Sequence, residues 1–121
     1  MAKLDHLGIF VRDVTRSREW YTTNLGLKIE FEIPHLNAVA LQDEDGFTIF
    51  ISERPGEAIT PSCVLTFQVD DVEAKHKELS AHGVTFKHSP QKLSWGYGAE
   101  LYDPDGYLVY LWDEESMREK G

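Results

Sequence analysis

Alternating apolar and polar positions predict eight short strands, and apolar residues at helical spacing predict one helix after the first strand and another after the fifth. The predicted strands span residues 4–11, 27–33, 36–41, 47–52, 63–69, 84–87, 97–102 and 107–112. The apolar side of the first helix carries Val14, Tyr21 and Leu25, and that of the second carries Val72, His76 and Leu79. Each half of the chain therefore has the order βαβββ.

Two segments of the chain occur twice. Residues 45–51 (DGFTIFI) match residues 105–111 (DGYLVYL), and residues 6–14 match residues 64–72 in their apolar pattern. Such self-similarity is typical of a duplicated module, so residues at equivalent positions are expected to meet around a shared centre. The predicted organisation is a single domain over 1–121. Its parts are module one (about 1–54), a linker (about 55–61), module two (about 62–112) and a charged tail (113–121) to which no structure is assigned.

Strand alternation predicts which side chains share a face of the sheet. The apolar positions on one face of the first and fourth strands of each module should pack under the module's helix. These positions are Leu7, Ile9, Val11, Ile49, Ile51, Leu65, Phe67, Val69, Val109 and Leu111. The mixed faces opposite should converge, which predicts an α+β fold in which the two modules form a curled eight-stranded mixed sheet around a cleft.

Composition narrows the classes of partner. The 121 residues include 21 acidic and 12 basic side chains, a formal net charge of −9, which disfavours nucleic acid and anionic lipid surfaces and favours cationic ligands. No apolar run approaches the roughly 20 residues that span a bilayer. A single cysteine, Cys63, and no apolar leader segment indicate a cytoplasmic protein.

Several motifs occur in order along the chain: residues 11–14 (VRDV) at the entry to the first helix, Trp20-Tyr21, residues 25–27 (LGL), residues 95–97 (WGY) and residues 102–107 (YDPDGY). Together they resemble the vicinal oxygen chelate superfamily, which includes glyoxalase I, bleomycin and fosfomycin resistance proteins and extradiol dioxygenases. The resemblance covers nearly the whole chain and agrees with the duplicated module order.

In metal-using members, the resemblance implies a divalent ion held by the first residue of each opening strand and by a glutamate near the end of each fourth strand. Those positions are occupied here by His6, Val64, Phe50 and Tyr110. Only His6 is a good ligand, and three protein ligands are the usual minimum for a metal site. We therefore expect no metal cofactor. A divalent ion held by atypical ligands is the alternative, its candidates besides His6 being Glu53, Glu100, His35 and His88, which we interpret instead as solvated surface groups.

Without a metal, the predicted cleft is an apolar and aromatic pocket with a few polar groups, a composition that suits flat or amphipathic small molecules. The predicted ligand-binding residues are His6, Phe50, Val64, Thr66, Gln68, Trp95, Tyr97, Tyr110 and Trp112.

Three functions remain open from the sequence. The first is a metal-independent protein that binds an aromatic or cationic compound, as bleomycin resistance proteins do. The second is an enzyme, either a metal-dependent lyase, isomerase or dioxygenase with atypical ligands or a metal-free catalyst using His6 as general base. The third is a module whose ligand regulates a partner. The resemblance and the open sheet edges also predict a homodimer.

Overall fold

A computed structural model describes residues 2–54 and 59–121, and the chain divides into two compact units, Met1–Thr60 and Pro61–Gly121. In unit 1 the order is β1 (His6–Val11), α1 (Val14–Leu25), β2 (Lys28–Ile33), a 3-10 turn (Pro34–Leu36), β3 (Ala38–Gln42) and β4 (Thr48–Glu53). In unit 2 it is β5 (Val64–Gln68), α2 (Val72–Ala81), β6 (Phe86–Leu93), β7 (Gly96–Tyr102), β8 (Leu108–Trp112) and α3 (Glu114–Lys120). Residues 55–58 of the predicted linker lie outside the described residues.

Each unit contains one four-stranded mixed sheet. The strand orders are β1-β4-β3-β2 and β5-β8-β7-β6, with the β1–β4 and β5–β8 pairs parallel and the other pairs antiparallel. The crossover between the two parallel strands of each unit consists of the helix followed by the two antiparallel strands, β2 and β3 in unit 1 and β6 and β7 in unit 2. The predicted α+β class and the two βαβββ modules are confirmed, while a cleft shared by the modules stays a prediction.

The face of each sheet toward its own helix is buried, as strand alternation predicts. α1 packs on β3 and β4, and α2 packs on β6 and β7. Val11 and Ile51 in unit 1 and Val109 and Leu111 in unit 2 are fully buried. Each such side chain stabilises the fold by about 1.5–3 kcal/mol relative to exposure. We call the opposite face of each sheet the helix-free face.

The hairpin before the last strand of each unit is built in the same way. Asp43 Oδ1 accepts hydrogen bonds from the backbone N–H groups of residues 45 and 47, and Asp103 Oδ1 accepts them from residues 105 and 107, all at 2.8–3.0 Å. Gly46 and Gly106 then have positive φ values of 88° and 91°, which glycine adopts without a steric penalty. The repeated sequence thus encodes a repeated turn.

In each unit, a carboxylate near the end of the last strand caps the helix. Glu53 is the last residue of β4, and Asp113 directly follows β8. Glu53 Oε1 accepts a hydrogen bond from Val14 N at 3.0 Å, and Asp113 Oδ2 accepts one from Val72 N at 2.7 Å. Asp113 is 2% exposed, and its Oδ1 also accepts from Ser116 N, 2.6 Å away, at the start of α3. One buried side chain therefore satisfies the N-terminal amides of two helices.

One predicted boundary requires correction, and the structure adds a third helix. The sixth strand runs over Phe86–Leu93, beyond the predicted 84–87, because irregular pairing with β7 continues through a polar segment that shows no clear alternation. The charged tail contains α3, which packs on β7. Asp113 caps α3, and Met117 Sδ lies 3.4 Å from Tyr97 N; tertiary contacts of this kind support a helix too short to be stable alone.

Replacing Asp113 by alanine should lower the free energy of unfolding by about 2 kcal/mol, because buried N–H groups of α2 and α3 lose their acceptor. Urea denaturation followed by circular dichroism measures the change. The matched control is Glu114→Ala at the next, exposed position, which should change stability by less than about 0.5 kcal/mol. Equal effects of the two substitutions would contradict this account of Asp113.

Candidate functional site

A β-bulge in the second strand of each unit brings side chains to the helix-free face. The pairing of β2 shifts between Ile29 and Phe31, and the pairing of β6 shifts between Phe86 and His88. A bulge adds one residue to one strand, so positions two apart no longer share a face. Phe31 and His88 consequently lie on the helix-free faces of their units.

Three aromatic rings form a row across the helix-free face of unit 1. The Phe50 ring centroid is 6.0 Å from that of His6 and 6.2 Å from that of Phe31, and both pairs are tilted by about 50°. Beside them, Thr48 Oγ1 donates a hydrogen bond to Glu30 Oε2 at 2.8 Å. Two of the predicted ligand-binding residues, His6 and Phe50, are thereby brought together, and Phe31 joins them through the bulge.

These rings line an open pocket of about 640 Å³ in unit 1. The remaining lining includes Phe47 and a rim in which the carboxylates of Asp5, Glu30 and Asp45 outnumber the single cation of Lys3. The full set of lining residues is Lys3, Leu4, Asp5, His6, Glu30, Phe31, Gln42, Asp45, Gly46, Phe47, Thr48 and Phe50. The pocket is therefore both aromatic and acidic.

The helix-free face of unit 2 carries a stacked aromatic pair. The rings of Trp95 and Tyr110 are parallel within 9° with centroids 5.0 Å apart. The Trp95 indole also lies against Gly98, where an added Cβ would be 2.5 Å from the indole ring. Trp95 occupies the turn between β6 and β7.

A buried carboxylate holds this pair. Glu100 is 7% exposed, and its Oε2 accepts a hydrogen bond from Trp95 Nε1 at 3.0 Å. His88 Nε2 lies 2.9 Å from Glu100 Oε1, and the Tyr110 hydroxyl also hydrogen-bonds Glu100. The interpretation of Glu100 and His88 as solvated surface groups is wrong, because the bulge in β6 turns His88 toward Glu100 on the adjacent strand.

Opposing effects set the pKa of Glu100. Burial raises it most, yet hydrogen bonds from Trp95, His88 and Tyr110, with the charge of His88, together outweigh burial and hold the pKa below its ordinary value. For Tyr110, burial and then the charge and hydrogen bond of Glu100 raise the pKa. At neutral pH this cluster therefore contains an ionised carboxylate and a neutral phenol.

The remaining predicted ligand-binding residues fall into two groups. Val64, Thr66 and Gln68 on β5 are exposed on the helix-free face of unit 2, where Gln68 pairs with Trp112 on β8. Tyr97 instead lies on the helix-covered face, where its hydroxyl donates a 2.6 Å hydrogen bond to Glu73 of α2, which raises its pKa to about 12. Tyr97, predicted to line the cleft, thus does not share the helix-free face with the other predicted ligand-binding residues of unit 2.

The residues at the implied metal positions do not fit a metal ion. Phe50 and Val64 have no donor atoms, and the hydroxyl of Tyr110 is engaged by Glu100. His6 Nδ1 lies 2.9 Å from Asp5 Oδ2. Across residues 2–54 and 59–121, no three His, Cys, Asp or Glu side chains are grouped closely enough to hold a metal ion.

Of the other metal-ligand candidates, Glu53 caps α1 and His35 is exposed in the 3-10 turn.

A family model decides the relationship. The model of the glyoxalase/bleomycin resistance protein/dioxygenase superfamily matches residues 3–111. The chain belongs to this superfamily. The resemblance inferred from the sequence motifs is thus confirmed, and the substituted metal positions are a feature of this superfamily member. A comparison with curated protein sequences gives no significant match.

Solved structures support the superfamily fold. A protein of unknown function from Agrobacterium tumefaciens is 27% identical, with a TM-score of 0.74, 94% of this chain covered and 95% of that one. A possible glyoxalase from Bacillus cereus is 18% identical, with a TM-score of 0.74 and coverages of 92% and 98%. A glyoxalase/dioxygenase from Nostoc punctiforme is 21% identical, with a TM-score of 0.75 and coverages of 93% and 90%.

The helices in the described part of the chain include none with the length and apolar character needed to cross a membrane.

Replacing Glu100 by glutamine should reduce stability by about 1–3 kcal/mol at neutral pH, because the buried donors lose a charged acceptor. A carboxylate whose pKa is lowered by folding stabilises the fold above its unfolded pKa of about 4.5, and this contribution disappears as pH falls through the folded value. The difference between wild type and Glu100→Gln should therefore shrink on acidification. Urea denaturation at about pH 7 and about pH 3 tests it; an unchanged difference would contradict the assignment.

Proposed function

We propose that this superfamily member is a metal-independent small-molecule binding protein that holds a flat aromatic cation in the unit 1 pocket. The main support for this proposal is the composition of that pocket. Three phenylalanine rings and three carboxylates line it together: Phe31, Phe47, Phe50, Asp5, Glu30 and Asp45. Its volume of about 640 Å³ lies within the range of roughly 300–1,000 Å³ that is usual for ligand pockets.

Aromatic contact and charge supply the binding energy in this proposal. A flat ring against Phe50 gains about 0.5–1.5 kcal/mol beyond the burial of apolar surface, and a positive charge over a ring gains a similar amount. The acidic rim, together with the chain's net charge of −9, attracts a cation and repels an anion. The proposed ligand is consequently a planar organic cation.

Polar groups at the pocket wall orient such a ligand. Glu30 is fixed by the hydrogen bond from Thr48, and Gln42 Nε2 donates to Gly46 O at 3.2 Å. A carboxylate already held in place loses little conformational entropy when it pairs with a ligand cation. Glu30 is therefore the residue proposed to face the positive charge.

Metal-free catalysis by His6 is the second candidate function. One observation favours it: Asp5 Oδ2 lies 2.9 Å from His6 Nδ1, and a carboxylate partner of this kind orients an imidazole whose other nitrogen acts as a base. Both side chains line the pocket, so turnover of a bound compound would be seen in the same assay as binding.

Wild-type protein should bind N-methylacridinium, a flat cationic fluorophore, and Phe50→Ala should weaken that binding about tenfold because the central ring of the pocket is lost. Glu30→Gln should weaken it about threefold, with the effect decreasing at high salt. Fluorescence titration measures both. Phe10→Ala provides the matched control, since Phe10 is an exposed phenylalanine on β1 that does not line the pocket.

The same titration separates the alternatives. Binding should survive chelator treatment, and chromatography should recover the compound unchanged. Binding or turnover that requires a stoichiometric metal would refute metal independence. Conversion of the compound that is lost in His6→Asn would favour catalysis by His6. If N-methylacridinium and a wider panel of planar cations leave wild-type fluorescence flat, the binding proposal fails.

We further propose that the chain forms a homodimer. Each sheet has two edge strands within its own unit, β1 and β2 in unit 1 and β5 and β6 in unit 2. Ile29 on the edge strand β2 is 48% exposed. Unpaired strand edges with apolar neighbours favour association.

Light scattering at micromolar concentration should accordingly give twice the chain mass of 13.8 kDa. Ile29→Lys, which places a charge on the β2 edge, should shift the protein toward monomer, whereas Lys28→Arg beside it should not. A wild-type mass equal to one chain would exclude the dimer.

A further inference from the structure

Glu30 is the extra residue of the bulge in β2. Its two neighbours, Ile29 and Phe31, pair with successive residues of β3, and Glu30 falls between them where the register shifts. The side chain of an extra residue is not directed by the regular pleat of the strand. Glu30 is also exposed, on an edge strand of the sheet. A contact from elsewhere in unit 1 is therefore needed to fix its direction.

That contact comes from Thr48 on β4. Thr48 Oγ1 donates a hydrogen bond to Glu30 Oε2 at 2.8 Å, although β3 lies between β4 and β2 in the sheet. The side chain of Glu30 thus extends over β3 toward the middle of the sheet and away from its edge. Gln42 of β3 adds a second polar group at the same place, its Nε2 lying 3.5 Å from Thr48 Oγ1. All three side chains line the unit 1 pocket.

The hydroxyl at position 48 is not required by the repeated backbone plan. The equivalent position of unit 2 is Leu108, which pairs with Val64 on β5 as Thr48 pairs with His6 on β1. Both Leu108 and Thr48 are half-buried, and the same type of hairpin precedes both. One copy of the module therefore forms without a hydroxyl that, in the other copy, binds a carboxylate of the pocket.

Thr48 and Phe50 set a spacing between charge and aromatic surface in the pocket. They are alternate residues of β4 on the helix-free face, so their Cα atoms are about 6.5 Å apart. The carboxylate of Glu30 is held at Thr48, whereas Phe50 is the central ring of the aromatic row. A positive charge beside Glu30 consequently lies beyond the edge of a ring that rests on Phe50, at the distance of a short alkyl arm.

We propose that Thr48 is a positioning residue that holds Glu30 to receive an ammonium group on a short alkyl arm, so that the unit 1 pocket prefers an arylalkylammonium to a neutral compound of the same shape. The inference rests on the proposed function and narrows its ligand class to aromatic rings with a pendant ammonium. Every residue that it uses belongs to unit 1.

The probes are naphthylethylammonium and naphthylethanol, which differ in charge and little in shape. Equilibrium dialysis at neutral pH measures the dissociation constant of each compound, and the ratio of the two constants isolates the contribution of the charge. Wild-type protein should bind the ammonium about fivefold more tightly, as expected for a contact with an exposed carboxylate. This preference should decrease at high salt.

Substitutions at positions 48 and 30 separate the hydroxyl from the carboxylate. Thr48→Val removes the hydroxyl at nearly constant shape and should reduce the preference to less than about twofold, with naphthylethanol binding unchanged, because Glu30 is released. Thr48→Ser keeps the hydroxyl and should keep the preference. Glu30→Gln should reduce the preference as Thr48→Val does, whereas Phe50→Ala should weaken both compounds equally.

Two matched controls make the same chemical changes outside the pocket. Glu32→Gln removes one negative charge from the same strand, at a residue that pairs with Arg18. Thr22→Val removes a hydroxyl that donates to the backbone of its own helix, α1. Neither side chain lines the pocket, so both variants should keep the wild-type preference for the ammonium.

Several results would overturn the inference. Equal wild-type affinities for the two naphthyl compounds, or no binding of either, would do so and leave the proposed function intact if N-methylacridinium still binds through Phe50; absence of that binding as well refutes the proposed function. An undiminished preference in Thr48→Val shows that the hydroxyl does not position Glu30, and loss of naphthylethanol binding there shows that it shapes the whole pocket instead. A reduced preference in Glu32→Gln shows that net charge, rather than the position of Glu30, selects the ligand.

Discussion

One extra residue in the second strand of each unit decides which side chains share the helix-free face. In β2 the bulge turns Phe31 toward Phe50, and in β6 it turns His88 toward Glu100. A strict two-residue period would put Phe31 with Ile29 and His88 with Phe86, on the helix-covered faces. The aromatic row of unit 1 and the polar cluster of unit 2 both depend on this change of register.

The two units use one backbone plan for different chemistry. The row that crosses the unit 1 sheet contains Phe31, Ala40 and Phe50, and the corresponding row of unit 2 contains His88, Glu100 and Tyr110. The central position of the row is the methyl group of Ala40 in unit 1 and the carboxylate of Glu100 in unit 2. A buried carboxylate requires hydrogen-bond donors around it, since an unpaired buried charge is unstable. His88, Trp95 and Tyr110 supply them.

The proposed function depends on the residues that occupy the superfamily's metal-ligand positions in this chain. Phenyl, isopropyl and phenol groups at Phe50, Val64 and Tyr110 cannot form a coordination sphere, but the two aromatic members pack against further rings in their own units. The loss of donor atoms and the gain of aromatic surface occur at the same residues. This coincidence underlies our preference for binding of a planar compound over metal chemistry.

The sequence by itself determined the duplicated module, the strand faces around Ile51 and Val109, and the Asp–Gly hairpins, because these depend on local turn chemistry and on a period of two residues. It also predicted the places of His6, Phe50 and Tyr110 on the helix-free faces of their units. Only the tertiary structure decided that Glu100 and His88 are buried partners, that Tyr97 faces α2, and that residues 114–120 form a helix. Bulges and contacts between distant segments set those features, and neither leaves a periodic signal in the chain.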